Sequence, residues 1–191
     1  CLSFEMSLFG QRLFVNSGIS CYGLGNERLR QRGTTAHNTV VVDGGNSSEV
    51  WGGFRVARRA YPSSPVVDTN DGVRVSCSHD GYKRLRGNVI HHRAWRLKGN
   101  RFHVTDRLDG IYSDAKAYFH IHPDVKVEED IDTKSYKLTL ASGAEARVQF
   151  DKAETVELRP STWHPGFGKS IENYCLVVKF SSDSITATVE W

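Results

Sequence analysis

Trp95-Arg96-Leu97-Lys98-Gly99-Asn100-Arg101-Phe102-His103-Val104 decides the fold class. Trp95 and Leu97 alternate with polar Arg96, a turn follows at Lys98-Gly99-Asn100-Arg101, and Phe102 and Val104 alternate again. Alternation with a period of two puts one face of an extended strand against a core, and a Gly-Asn turn reverses the chain. The same grammar extends outward in both directions. Leu2, Phe4, Met6 and Leu8 share a face of an opening strand, and Thr39–Val42 ends at the turn Asp43-Gly44-Gly45-Asn46. Val73 and Val75 alternate with Arg74 and Ser76. Further strands are expected at Lys116–Ile121, Lys126–Glu128, Tyr136–Leu140, Ala144–Phe150, Thr155–Leu158, Tyr174–Phe180 and Ile185–Trp191. Helix is confined to a turn or two over Asn26–Gln31. Ten or more short strands at hairpin spacing predict an all-β, antiparallel β-sandwich of two stacked sheets with little helix, as one domain over residues 1–191.

Composition narrows the function classes. The chain has 191 residues, 39% hydrophobic and 25% charged, with a net charge of +3. That balance suits an acidic polymer as partner but lacks the dense Lys/Arg stripe of a nucleic-acid binder. No apolar run reaches the roughly 18 residues that span a bilayer. Basic residues cluster in the first half, including Arg28, Arg30, Arg32, Arg55, Arg58 and Arg59. The four cysteines form no C-x-x-C pair. The chain begins at Cys1 and opens directly on strand alternation, so a piece of a longer protein is expected.

Four stretches carry chemistry-bearing side chains. Ala36-His37-Asn38-Thr39 puts a His-Asn pair at the mouth of an apolar strand, suited to a metal, a proton or a carboxylate, or simply satisfied by backbone. Ser47–Ala60 holds Trp51, Phe54 and Arg55, which can stack on sugar rings and clamp an anion, or anchor a strand. His79-Asp80-Gly81-Tyr82 offers a phenol near basic groups, or a turn with a satisfied histidine. His120 and His122 share a strand face, a geometry two metal ligands can use. No nucleophile elbow, phosphate loop or H-E-x-x-H motif is present.

In order, Leu2-Ser3-Phe4-Glu5, Phe9-Gly10, Leu13–Gly18, Ala36–Gly44, Ser48–Arg55, His79–Tyr82, His92-Arg93 and His122-Pro123 resemble the heparinase II/III-like family over about residues 1–125. The resemblance implies the C-terminal β-sheets of a polysaccharide lyase whose N-terminal α/α toroid is absent from this chain. Such enzymes cleave uronic-acid-containing polysaccharide by β-elimination, taking the C5 proton and protonating the leaving oxygen. It implies an acidic polysaccharide and the missing toroid as partners, and a periplasmic or secreted parent. It also implies a structural zinc in the parent, with His37 matching one ligand and Asn16 standing where the family has Asp. The toroid and an upstream histidine supply catalysis, so no catalytic residue is assigned here and the isolated chain is expected to be inactive. Tyr22, Arg32, His37 and Asn38 are expected to line the substrate cleft. The alternative is a non-catalytic carbohydrate-binding or scaffolding module. A third reading, a metal-dependent enzyme, would rest on His120 and His122.

Overall fold

The computed structural model describes residues 1–191. Strands β1 (Met6–Leu8) and β2 (Gln11–Phe14) form a hairpin. Helix α1 (Asn26–Arg32) and a 3-10 turn (Thr34–Ala36) lead into β3 (Val40–Val42), and β4 (Val50–Trp51) pairs with β5 (Arg55–Val56). A meander follows through β6 (Val66–Asp68), β7 (Val73–His79), β8 (Ile90–Lys98) and β9 (Arg101–Asp109). The remaining strands are β10 (Ala115–His120), β11 (Lys126–Asp130), β12 (Ser135–Thr139), β13 (Glu145–Asp151), β14 (Thr155–Trp163), β15 (Ile171–Phe180) and β16 (Ser184–Glu190). Eight strands build one antiparallel sheet in the order β11-β12-β13-β16-β9-β8-β7-β6, and four build a second in the order β14-β15-β10-β3.

The expected alternation is what packs these sheets together. Phe119, Leu176, Val178 and Phe180 of the smaller sheet meet Val104, Leu138, Val148 and Ala187 of the larger in one buried cluster. Phe4 and Phe14 wedge into it beside Phe119, with ring centres 5.9–6.2 Å apart. The opening strand is shorter than its alternation suggests, because only Met6–Leu8 is paired, yet Phe4 still points into the core. β14 is longer than expected and runs through Pro160. Proline is tolerated there because β14 is an edge strand, bonded on one side only to β15.

Four strands cannot cover eight. Part of the inner face of β7, β8 and β9 instead meets the N-terminal segment, and that part is polar. His79, His91, Arg93 and Asp106 are all at most 1% exposed. Arg93 and Asp106 are cross-strand partners, joined at 2.7 and 2.9 Å. Hydrogen-bond direction is fixed along this chain of groups. The Gly81 N–H donates to His79 Nδ1 (3.1 Å), so His79 Nε2–H donates to His91 Nδ1 (3.1 Å). His91 Nε2–H then donates to Asp106 Oδ1 at 2.6 Å. Arg93 Nη1 continues outward to the carbonyls of Leu2 (2.7 Å) and Asn38 (2.5 Å). Burial would raise the Asp106 pKa, but the Arg93 charge and the His91 bond outweigh it and hold the carboxyl well below its usual range. Burial pushes His79 down to about 2, and His91 is lowered for the same reason.

Truncating Arg93→Ala leaves a buried carboxylate without its cation, and is expected to cost about 3–5 kcal/mol. An unchanged urea midpoint would show that the pair carries no stability. The histidines add an acid limb. An unfolded imidazole titrates near pH ~6.5, while His79 stays neutral in the fold to about 2. The unfolded state therefore takes up the proton first, and stability is complete above pH ~6.5 and falls below it, by up to about 1.4 kcal/mol per pH unit for each such histidine. His79→Gln should flatten this limb in urea titrations, and an identical pH profile for that variant would remove His79 as its source.

Candidate functional site

The site region is built around α1. Its buried residues Arg28 and Gln31 point in different directions. Gln31 accepts from the Ser20 N–H (2.8 Å) and donates to Ser20 Oγ and Glu27 Oε1, both at 2.7 Å, so the loop 17–25 is pinned to the helix. Arg28 Nε donates to the Gly53 carbonyl at 3.1 Å, and Arg32 donates to the carbonyls of Gly52 (3.0 Å) and Arg55 (3.3 Å). Two arginines of one helix thus hold the β4–β5 hairpin. The loop 164–168 joins from the other side through His164 N–H to the Ser17 carbonyl (2.7 Å) and Gly168 N–H to the Ser20 carbonyl (2.8 Å). Gly18 makes this approach possible: its φ is +74°, and a Cβ there would lie 2.1 Å from the His164 carbonyl oxygen.

Where these three loops converge, aromatic side chains gather on the surface. Tyr22 stacks between Phe54 (6.2 Å, 26°) and Phe167 (5.2 Å, 25°). All three are more than half exposed. The Arg28 guanidinium lies 5.1 Å from the Tyr22 ring centre and 5.6 Å from that of Phe54, and its Nη1 has no hydrogen-bond partner. On the neighbouring hairpin Arg55 lies 4.7 Å over the Trp51 ring. Rings beside a cation form a surface that can receive the faces and anionic groups of an acidic sugar.

The structure separates the four residues expected to line a cleft. Tyr22 is at the surface, partnered by Arg28 rather than Arg32. Arg32 serves the hairpin backbone. His37 is half-buried, with Nδ1 at 2.5 Å from Asn16 Oδ1, and burial pushes its pKa down to about 4. Asn38 is fully buried: its amide donates to the carbonyls of Phe4 (2.8 Å) and Val15 (3.1 Å) and accepts from the His120 N–H (2.6 Å). It ties three segments together and has no polar atom left to offer. Phe167 was not singled out from the sequence, and Arg28 appeared there only as one of the clustered basic residues. The signals that existed were a basic residue four before Arg32 and the Gly-Phe-Gly turn Gly166-Phe167-Gly168.

Two other expectations resolve toward their structural readings. Tyr82 is completely buried, donates to the Val40 carbonyl at 2.6 Å, and has its pKa raised by burial, so its phenol meets no substrate. His120 is buried with Nε2 at 2.8 Å from the Thr35 carbonyl, and His122 packs on Trp163 with ring centres 4.7 Å apart. No group of three or more His, Cys, Asp or Glu side chains is arranged to hold a metal ion, and His120 and His122 are taken up by these separate contacts. The zinc implied for His37 and Asn16 fits these residues no better. Two ligands of a tetrahedral zinc stand about 3.3 Å apart, whereas these atoms are hydrogen-bonded to each other and one belongs to a neutral amide.

The comparisons with known proteins agree with this architecture. A heparinase III gene product superposes with a TM-score of 0.78 at 17% identity, covering 98% of this chain and 29% of that one. The heparan sulfate lyase HepC from Pedobacter heparinus gives 0.76 at 17% identity, with 98% and 30% coverage. A further heparinase III gives 0.71 at 18% identity, with 98% and 28% coverage. Identity this low speaks for the shared fold, and the chain spans under a third of those proteins' length. A search of curated protein sequences found no match. The family model described as "Heparinase II/III-like, C-terminal" matches residues 1–191. The chain therefore belongs to the heparinase II/III-like family, whose C-terminal region it matches from end to end.

Proposed function

We propose that this chain is the β-domain of a polysaccharide lyase that cleaves a uronic-acid-containing polymer by β-elimination. The family match over the whole chain carries this reading. The cluster of Tyr22, Phe54 and Phe167 over Arg28 supports it, because exposed stacked rings suit the faces of sugar residues, and in this reading they form one wall of the substrate cleft. The opposite wall, and the groups that remove the C5 proton and protonate the leaving oxygen, belong to an N-terminal toroid outside this chain. Within the chain, the buried state of His79, His91 and Tyr82 keeps the obvious proton-transfer groups away from any ligand. His37, in its bond to Asn16, stays neutral and acts by holding that residue in place. Asn38 acts through the backbone it fastens. The acidic polymers that fit are those of the heparan sulfate type, since the structural relative HepC is a heparan sulfate lyase.

The protein with its upstream sequence, incubated with heparan sulfate, heparosan, hyaluronan and alginate, should generate the ultraviolet absorbance of an unsaturated uronate on at least one polymer. Residues 1–191 alone should generate none. Tyr22→Ala and Phe167→Ala in the longer protein should each lower kcat/KM roughly 5–10-fold, the worth of about 1 kcal/mol of aromatic contact, with little change in stability. Silence on every uronate polymer would overturn the lyase reading. Activity from residues 1–191 alone would overturn the assignment of catalysis to the toroid.

A further inference from the structure

A second recess lies on the other side of α1. A cleft of about 940 Å³ opens between α1, β14, β15 and residues 121–127, within the range of small-ligand sites. We propose that it is a glycan subsite that takes the hydroxyl groups of a neutral sugar residue; the ligand class rests on the lyase reading above.

Four features carry this assignment. Asn173 is only 5% exposed; its amide N–H donates to the Ile121 carbonyl at 2.8 Å, but its carbonyl oxygen has no donor in the chain. Turning the amide over would strip Ile121 of its donor, so Asn173 keeps an unmet acceptor buried at the cleft lining, which a hydroxyl that displaces the covering side chains would satisfy. Arg30 is held rigidly by Glu27 (2.8 and 2.5 Å), Thr162 Oγ1 (2.7 Å) and His164 Nε2 (3.3 Å), leaving Nη1 without a partner. His164 accepts there because its Nδ1–H faces the Lys169 carbonyl at 3.1 Å. Ser161 points its hydroxyl toward His120 Nδ1 at 3.4 Å, and its lone pairs remain open. Tyr174, 49% exposed, supplies a ring at the rim.

Charge selects the ligand. Arg30 and Lys126 are balanced in the cleft by Glu27 and Glu172, and Glu172 has no ion-pair partner. A carboxylate or sulfate gains no net attraction here, whereas a hydroxyl finds both donors and acceptors preorganised. The opposite holds on the far side of α1, where Arg28 faces the aromatic cluster. An alternating polymer of acidic and neutral residues would meet its acidic residues there and a neutral residue in this cleft.

The test is a titration of ¹⁵N-labelled residues 1–191 with the N-acetylglucosamine tetramer and, separately, a heparosan tetrasaccharide. The neutral tetramer should shift the Ser161, Asn173 and Tyr174 amides saturably, with a Kd on the order of 1 mM. Tyr174→Ala and, independently, Ser161→Ala should weaken binding about five-fold or more while leaving the dispersed spectrum of the fold intact. No cleft shifts up to about 10 mM tetramer would overturn the proposal. Unchanged affinity in both variants would do the same, as would cleft shifts driven only by the uronate-bearing probe. Because binding is read without cleavage, the two readings fail separately. A longer protein that cleaves uronate polymer beside an unresponsive cleft refutes the subsite alone, and a responsive cleft in a protein that cleaves nothing refutes the lyase reading alone.

Discussion

The Arg93 guanidinium sits in the sandwich where an aliphatic side chain would ordinarily be, and the N-terminal half of the chain is arranged to satisfy it. Asp106 takes two of its donor groups, and a third goes to the backbone of Leu2 and Asn38. A buried ion pair recovers its desolvation cost only when its remaining hydrogen-bonding groups are met. The carbonyls of residues 2 and 38 must therefore come down onto the large sheet. Once they do, the side chain of Asn38 reaches Phe4, Val15 and His120, and the ends of β2, β3 and β10 are set relative to one another. The positions of His37, one residue earlier, and of the 3-10 turn before it follow from this fastening. A polar inner face also explains how an eight-stranded sheet lives with a four-stranded partner. The uncovered strands face a segment of backbone, which needs hydrogen-bond partners that an apolar face would deny it.

That polar face marks where the sequence stops being legible. Strands whose two faces differ in polarity, such as β9, β13 and β16, could be read from alternation because one face meets an apolar core. In β7 the buried position is His79, which in sequence resembles the start of a turn motif rather than an inward-facing strand residue. His37-Asn38 was read as one functional pair, but adjacent residues point to opposite sides, so one is half-buried beside Asn16 and the other locked in the interior. The strand expected at Thr155–Leu158 continues through Pro160 because a proline is tolerated on an edge strand, and edge status depends on topology that sequence does not display.

The candidate site was legible by residue type but not by partnership. Tyr22, Phe54 and basic residues around 28–32 were visible as chemistry that suits an acidic glycan. Which arginine meets which ring depends on helical phase. Arg28 and Arg32 stand four apart on α1 and both reach the β4–β5 hairpin, yet only Arg28 lies against the Tyr22 and Phe54 rings. Phe167 joins them through a loop about 145 residues away in sequence, brought in by two backbone hydrogen bonds and the space left at Gly18.

α1 deserves its place between two sites for an electrostatic reason. Its seven residues carry three arginines and one glutamate, too many cations for one surface unless they are separated. The helix separates them by phase. Glu27 neutralises Arg30 on one side and fixes it for directional hydrogen bonding, and its carboxyl is held down at about 2 chiefly by that bond, so it stays ionised at any working pH. Arg28, on the other side, has no carboxylate partner and lies buried against the inner side of the Tyr22 and Phe54 rings, where its charge is felt through them rather than by direct contact. A single short helix thereby makes one neighbour electrostatically neutral and the other cationic. In the proposed reading of the two surfaces, different parts of a polymer are met side by side without competing for the same charged group.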